Sequence, residues 1–77
     1  MVRHFIIILN SKTGELIHGE TTTKRGEWIC IFFGMVERIY ELGLQNMVEI
    51  VHVGTEKYGK TFSGDEIEKI GKMMLEK

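Results

Sequence analysis

One octapeptide of this 77-residue chain, Gly54 to Thr61, has the residue types of a phosphate-binding loop. Its letters, GTEKYGKT, satisfy the pattern G-x-x-x-x-G-K-[ST], in which glycines let backbone N–H groups approach phosphate oxygens. In such a loop Lys60 would reach the outer phosphates and the hydroxyl of Thr61 would hold Mg²⁺. The apolar segment Met47 to Val53, which precedes the octapeptide, has the composition of the strand that such a loop follows. The pattern alone therefore predicts nucleotide binding.

The position of the next helix argues against that interpretation. In a phosphate-binding loop the helix begins at the Gly-Lys-Thr itself, so that the helix N-terminus faces the phosphate. Here Ser63 and Glu66 have the spacing of a capping box, which predicts a helix that starts at Ser63. Asp65 is the only aspartate of the sequence, and no later strand carries one to hold the metal.

We therefore predict that the octapeptide is an exposed hairpin turn. The turn is expected around Glu56 to Gly59, with Lys60 to Phe62 as a short last strand. A strand over residues 59–62 is incompatible with the geometry of a phosphate-binding loop, whereas a helix there would favour it.

Anion binding by two basic loops is the alternative that we keep. The candidate residues are basic or lie in the octapeptide: Lys24, Arg25, Lys57, Gly59, Lys60 and Thr61. Trp28 or Tyr58 would add a stacking surface for a nucleic-acid base. A nucleic acid is nevertheless not the favoured partner. Ten basic and eleven acidic residues leave a net charge of −1, and polyanion binding normally calls for a basic excess.

Three histidines and one cysteine are the residues that could hold a metal ion: His4, His18, His52 and Cys30. None has the C-x-x-C or H-x₃₋₅-H spacing typical of zinc sites, so we predict no metal site and no cofactor. The sequence offers no signature of a base that would activate Cys30 as a nucleophile. In the apolar run Trp28 to Phe33 we expect Cys30 to be a small buried hydrophobic residue. The lack of a catalytic constellation favours a protein without enzymatic activity.

Length and composition predict one small globular domain, residues 1–77. An apolar fraction of 43% with 27% charged residues is typical of folded proteins. A single cysteine forms no intrachain disulfide, which favours a reducing compartment, the cytoplasm. The longest apolar runs are far shorter than the roughly 20 residues that span a bilayer, so we expect neither a signal peptide nor a membrane partner.

The elements that must position these residues begin with a hairpin. Arg3 to Asn10 is β-branched and aromatic, with apolar side chains at odd and even positions, which predicts a central strand covered on both faces. Asn10 to Gly14 is a turn signal. Glu15 to Thr22 is the return strand, and its composition predicts greater exposure.

The segment after the hairpin has the composition of a strand and the periodicity of a helix. At 100° per residue the polar residues Glu37, Arg38 and Glu41 separate from a wide apolar arc. This separation predicts an amphipathic helix from about Gly26 to Leu42, with Gly43 as its C-cap. A strand followed by a short helix is the alternative.

A further strand and a second helix complete the order. Met47 to Val53 has strand composition, and Ser63 to Lys77 has the pattern of a helix. Phe62 and Ile67 are placed as a hydrophobic staple across the start of that helix. The predicted fold class is α+β, a two-layer, antiparallel-rich sheet with two helices in the order β-β-α-β-(β)-α.

The wide apolar arc of the first helix leads to the functional hypothesis. A chain of this length buries only about 60% of its unfolded surface, so its stability often depends on association. The residues expected to form an interaction surface are Trp28, Phe32, Phe33, Met35 and Tyr40. We predict a non-enzymatic interaction or regulatory module in the cytoplasm, which forms a homodimer or binds another protein through this helix face. The alternative is a phosphate-recognising protein, for nucleotide or nucleic acid, that uses the basic Gly54–Thr61 loop.

Overall fold

A computed structural model describes residues 2–54 and 57–75 of the chain, with only the backbone of residues 57 and 58. Within this part the elements follow the predicted order β-β-α-β-(β)-α, and the strand in parentheses is present. They are β1 (His4–Asn10), β2 (Leu16–Thr22), α1 (Glu27–Leu42), β3 (Val48–Gly54), β4 (Lys57–Phe62) and α2 (Gly64–Leu75). All neighbouring strands are antiparallel, so the α+β prediction is confirmed.

The turn between β1 and β2 is built by the residues that signalled it. The Asn10 side-chain oxygen accepts hydrogen bonds from the backbone N–H groups of Lys12, at 2.9 Å, and Thr13, at 3.1 Å. Gly14 takes a φ of 74°, a conformation that other residues rarely adopt. Its N–H donates to the carbonyl oxygen of Asn10 at 2.8 Å, which closes the turn.

The segment with mixed signals is one continuous helix, α1. Its strand-like composition is therefore overridden by the separation of apolar and polar residues around the helix axis. The helix ends at Gly43, which has a φ of 69°. The N–H of Gly43 donates to the carbonyl of Tyr40 at 3.1 Å, and the N–H of Leu44 donates to the carbonyl of Ile39 at 3.0 Å. These bonds satisfy carbonyls at the helix end, as the predicted C-cap requires.

The sheet has the strand order β2-β1-β3-β4, so β1 and β3 are its central strands. Ile6 of β1 lies opposite His52 of β3, and Ile8 lies opposite Ile50. Ile6 and Ile50 are fully buried beneath the two helices. The buried core consists of alternate residues of β1 and β3 with the inner faces of α1 and α2: Ile6, Phe32, Met35, Val36, Ile39, Val48, Ile50 and Ile67.

The octapeptide forms the hairpin between β3 and β4. Gly54 pairs with Lys57, and Val51 pairs with Thr61, so the predicted strand Lys60 to Phe62 is present. β4 begins at Lys57, however, so the predicted turn around Glu56 to Gly59 is too long at its C-terminal end, because strand pairing continues through Gly59. The apex at residues 55–56 and the side chains of Lys57 and Tyr58 lie outside the described residues. Packing requires glycine at position 59, because a Cβ there would collide with the carbonyl oxygen of His52.

The second helix begins where the capping signal placed it. α2 starts at Gly64, and the N–H of Ile67 donates to the Ser63 carbonyl at 2.9 Å. Ile67 is buried, and Phe62 packs against the same core from the other side of the cap. The predicted end at Lys77 lies outside the described residues.

Within the described chain, β1 is central but covered by helices on one face only. The core contains Ile6, Val48 and Ile50 from the even-numbered face of β1 and β3, while the odd-numbered side chains do not belong to it. The prediction that both faces of β1 are covered is therefore wrong. Two helices of this length cover one face of a four-stranded sheet, and both pack on the same side, where they contact each other.

Candidate functional site

The octapeptide has the geometry of a strand, not of a phosphate cradle. β4 is an extended strand paired with β3, so its successive N–H groups point to opposite sides and its successive side chains to opposite faces. Lys60 lies on the helix side, where its Nζ is 3.6 Å from Glu66 Oε2 and 4.9 Å from the centre of the Phe62 ring. Lys60 therefore forms an ion pair with the first turn of α2. Thr61 is exposed and belongs to the alternate set of side chains.

The two basic loops lie at opposite edges of the sheet. Lys24 and Arg25 follow β2, whereas Lys60 belongs to β4, and three strand spacings of about 4.8 Å separate these edges. Lys24 Nζ lies 3.9 Å from Glu27 Oε2. Glu27 also accepts a hydrogen bond from the hydroxyl of the buried Thr22 at 2.7 Å. The structure thus does not bring the candidate anion-binding residues to one place, and their role stays a prediction.

Between the two loops lies a cluster that the sequence reasoning did not find, formed by His4, Trp28 and His52. His4 Nδ1 and His52 Nε2 are 2.9 Å apart, so one ring nitrogen donates a hydrogen bond to the other. The Trp28 ring stacks on His52, with centroids 3.8 Å apart and an angle of 5° between the planes. Partial burial lowers the pKa of His52, and the neighbouring His4 lowers it further. A neutral His52 suits both the hydrogen bond and the stack.

Of the four candidate metal ligands, the structure brings His4 and His52 together and places His18 and Cys30 elsewhere. His18 lies on β2, 3.3 Å from Glu20, and Cys30 is exposed on α1. Among the described residues no three His, Cys, Asp or Glu side chains form a group that could hold a metal ion. The prediction that Cys30 is buried is wrong, because Cys30 lies on the helix stripe that continues through Gly34 and Glu41 on the exposed side.

The predicted helix surface is divided between the core and the outside. Phe32 and Met35 are buried in the core, and Trp28 is half-buried in its histidine stack. Tyr40 is half-buried, and its ring lies against Gly71 of α2, where a Cβ would collide with it. Phe33 is 39% exposed, and the centre of its ring lies 5.5 Å from that of Phe32. The inner part of the arc thus packs within the monomer, and an interaction role for these residues remains a prediction.

The sheet face opposite the helices also carries apolar residues. We call it the open sheet face. In the register of β1 and β3, Phe5 lies opposite Val53 and Ile7 lies opposite Val51. The face consists of half-buried apolar residues of the two central strands and one exposed residue of β2, Leu16, which lies opposite Leu9. The residues of the central strands are Phe5, Ile7, Leu9, Val51 and Val53.

This face could have been found from the sequence. An antiparallel sheet with one solvated face normally alternates apolar and polar residues along each strand. β1 and β3 do not alternate in this way, because Phe5, Ile7 and Val51 occupy positions where polar residues are expected. The pattern predicts a cover on both faces of β1, whereas in the part of the chain that the structure describes the odd-numbered residues form an apolar surface with no helix over it.

Comparison with protein-family models, with curated proteins and with solved structures finds no match to this chain. Neither α1 nor α2 is long and apolar enough to cross a membrane, as judged over the described residues. The function must therefore be argued from the surfaces of the molecule.

Proposed function

We propose that this chain is a non-enzymatic interaction module that self-associates into a two-fold homodimer, and that the open sheet face is its interface. The observation that carries the proposal is the apolar composition of that face on an antiparallel sheet. Contiguous apolar surface of this kind is typical of partner sites. A second copy supplies a surface of the same shape and polarity, and isologous dimers are the commonest oligomers.

The projected area of the face lies just below the lower limit of specific interfaces. Four strands at a spacing of about 4.8 Å are about 19 Å wide, and seven-residue strands at about 3.3 Å per residue are about 23 Å long. The projected area is then about 440 Å² per copy, or about 900 Å² for two copies before the relief of the side chains is counted. Specific interfaces start at roughly 1,000 Å².

The expected arrangement is a sandwich of two sheets with helices outside. Stacked sheets lie about 10 Å apart with their strands rotated by about 30°, and the side chains of the two inner faces interdigitate. Phe5 and Ile7 lie on the central strand β1 and would be fully buried, whereas Glu49 lies at the end of the face and would stay at its rim.

We place the dimer in the cytoplasm, in agreement with the exposed thiol of Cys30. In an oxidising compartment an exposed unpaired cysteine tends to form intermolecular disulfides. A regulatory role would follow if the dimer exchanges with a complex that buries the same face.

Sedimentation velocity over a range of protein concentrations tests the proposal. The wild-type chain is expected to sediment as an oligomer, and Ile7→Glu is expected to remove the sheet-face contact, because a charge would be buried between the sheets. Ile7 is only half-buried in the monomer, so circular dichroism should show an unchanged fold.

The matched control is Met73→Glu, which introduces the same charge at a position of α2 that is 79% exposed. This variant should keep the wild-type mass. A wild-type chain that stays monomeric at every concentration, or an Ile7→Glu chain with the wild-type mass, would overturn the proposal.

A further inference from the structure

β2 forms an edge of the sheet, and only one of its sides is paired within the described part of the chain. It pairs with β1, and the backbone groups of its other side have no neighbouring strand. Natural proteins usually protect such edges with charged residues, proline, a β-bulge or a covering segment. The pairing of β2 with β1 has an irregularity between Leu16 and His18, and it is regular from His18 to Thr22. The sequence of β2, LIHGETT, contains neither Lys nor Pro, and each of its residues except Thr22 is exposed.

β2 is complementary to itself in one antiparallel register. If a two-fold axis perpendicular to the sheet passes through Gly19, His18 of each copy lies opposite Glu20 of the other. An axis through Glu20 would place two carboxylates opposite each other, and an axis through His18 would oppose two imidazoles. Within one chain His18 Nε2 already lies 3.3 Å from Glu20 Oε2. The register through Gly19 therefore alternates imidazole and carboxylate groups around the axis.

A groove of about 530 Å³ runs beside β2 on the helix side of the sheet. Ile8 and Ile31 contribute apolar surface to it, and His18 and Glu20 line it on the β2 side. Gly34 of α1 also lines this groove. A methyl group in place of its hydrogen would meet no described atom within 4 Å, although glycine weakens the interior of a helix. No contact within the described chain accounts for Gly34.

We propose that the β2 strands of two copies pair antiparallel about Gly19, so that two sheets join into one of eight strands and the two α1 helices pack at Gly34. α1 contacts both β1 and β2. With strands about 4.8 Å apart, a helix centred between β1 and β2 lies about 5 Å from the axis, and the two α1 axes are about 10 Å apart. Helices pack at about 8–10 Å. A larger side chain at position 34 would meet the second helix, which accounts for the glycine.

This edge contact is separate from the open sheet face. The edge contact extends the sheet within its own plane, whereas the face contact stacks one sheet on another. A chain that uses both forms a closed tetramer when the two two-fold axes intersect at right angles, and a chain that uses one forms a dimer. The two contacts can therefore be removed one at a time.

Charge substitutions on β2 test the register. In His18→Glu two carboxylates oppose each other on both sides of the axis, and edge association should weaken about tenfold or more. His18→Glu combined with Glu20→His exchanges the two groups, restores the opposition of imidazole and carboxylate, and should restore association. Lys69→Gln on α2 changes the net charge by the same amount away from β2 and should leave the mass unchanged.

Gly34→Leu tests the helix contact. Leucine favours helix, its Cβ would meet no described atom within 4 Å, and position 34 lines the open groove, so the chain should fold at least as well as wild type while the edge contact is lost. Hydrogen exchange gives a second readout, since outward N–H groups of residues 18–22 should be protected only in the assembly.

The four masses, read together, separate the two contacts. If His18→Glu and Gly34→Leu reduce the mass by half, and the exchanged double variant recovers it, the edge pairing is supported whatever Ile7→Glu does. If neither substitution changes the mass, or if the double variant does not recover it, the edge pairing is overturned. Loss of association in Ile7→Glu alone then still supports the sheet face.

Discussion

Gly34→Ala is expected to stabilise the monomer, and its magnitude can be worked from the structure. Gly34 lies near the middle of α1, is exposed, and has no described neighbour within 4 Å of an added Cβ. The gain is therefore the difference in helix propensity, about 0.8–1.0 kcal/mol. An unfolding entropy of about 2.1 cal/mol/K per residue converts 1 kcal/mol into a rise in Tm of about 6 °C for a chain of this length.

Two other glycines provide matched controls for the same substitution. Gly43 has a φ of 69°, so an alanine there should cost about 1–2 kcal/mol in the left-handed conformation. Gly71 lies against the ring of Tyr40, where a Cβ would come within 2.5 Å, so Gly71→Ala should also destabilise the fold. The same glycine-to-alanine change should thus stabilise the fold at position 34 and destabilise it at positions 43 and 71, because the local geometry differs.

The assay is urea unfolding followed by circular dichroism, in an Ile7→Glu, His18→Glu background. This background is expected to keep the chain monomeric, so that the unfolding free energy does not depend on protein concentration. A loss of stability in Gly34→Ala would refute the reasoning, because it would show that position 34 has a constraint inside the monomer. A gain in Gly43→Ala would equally refute it.

Three further predictions concern single residues. The pKa of His52 is lowered in the fold, so the unfolded chain binds more protons, and the free energy of unfolding should fall as the pH drops below about 6.5. His52→Gln should make the free energy of unfolding less dependent on pH in experiments at pH 5 to 8. Ile6→Ala should lower the free energy of unfolding by about 2–5 kcal/mol, because Ile6 is fully buried. Ile7 is half-buried on the other face, so Ile7→Ala should lower it clearly less in the monomer. Equal losses of stability in urea unfolding would contradict a sheet that is covered on one face only. Cys30 should react with a thiol reagent in the folded protein about as fast as in urea, and strong protection of a monomeric variant would contradict its exposure.

Local signals were sufficient for the elements. Asn10 and Gly14 specify the first turn through their own backbone conformation and hydrogen bonds, and Ser63 marks the start of α2. The helix at Trp28 was predicted despite its strand-like composition, because periodicity reports burial more directly than composition does. Each of these interpretations depends on residues a few positions apart.

The open sheet face and the buried side of α1 are determined by contacts between residues far apart in the sequence. Such contacts are harder to predict than a turn or a helix end. An apolar residue at Phe5 is consistent with a covered face or with an uncovered one, since its side chain does not show where the helices dock. Phe32 and Phe33 are adjacent in sequence, and only the position of α1 over the sheet decides that Phe32 is buried. The pairing of His4 with His52 requires the register of β1 on β3 across 48 residues.

The pairing of β1 with β3 affects how the chain folds. β1 is the centre of the sheet, yet its longest ladder is with β3, whose residues follow after the whole of β2 and α1. Closing such a loop costs entropy before the ladder forms, so we expect slower folding than for a chain of the same length with local contacts. During synthesis the first hairpin would emerge with both apolar faces of β1 uncovered. Until β3 is synthesised, we expect these apolar faces to be accessible to chaperones and to other copies of the chain.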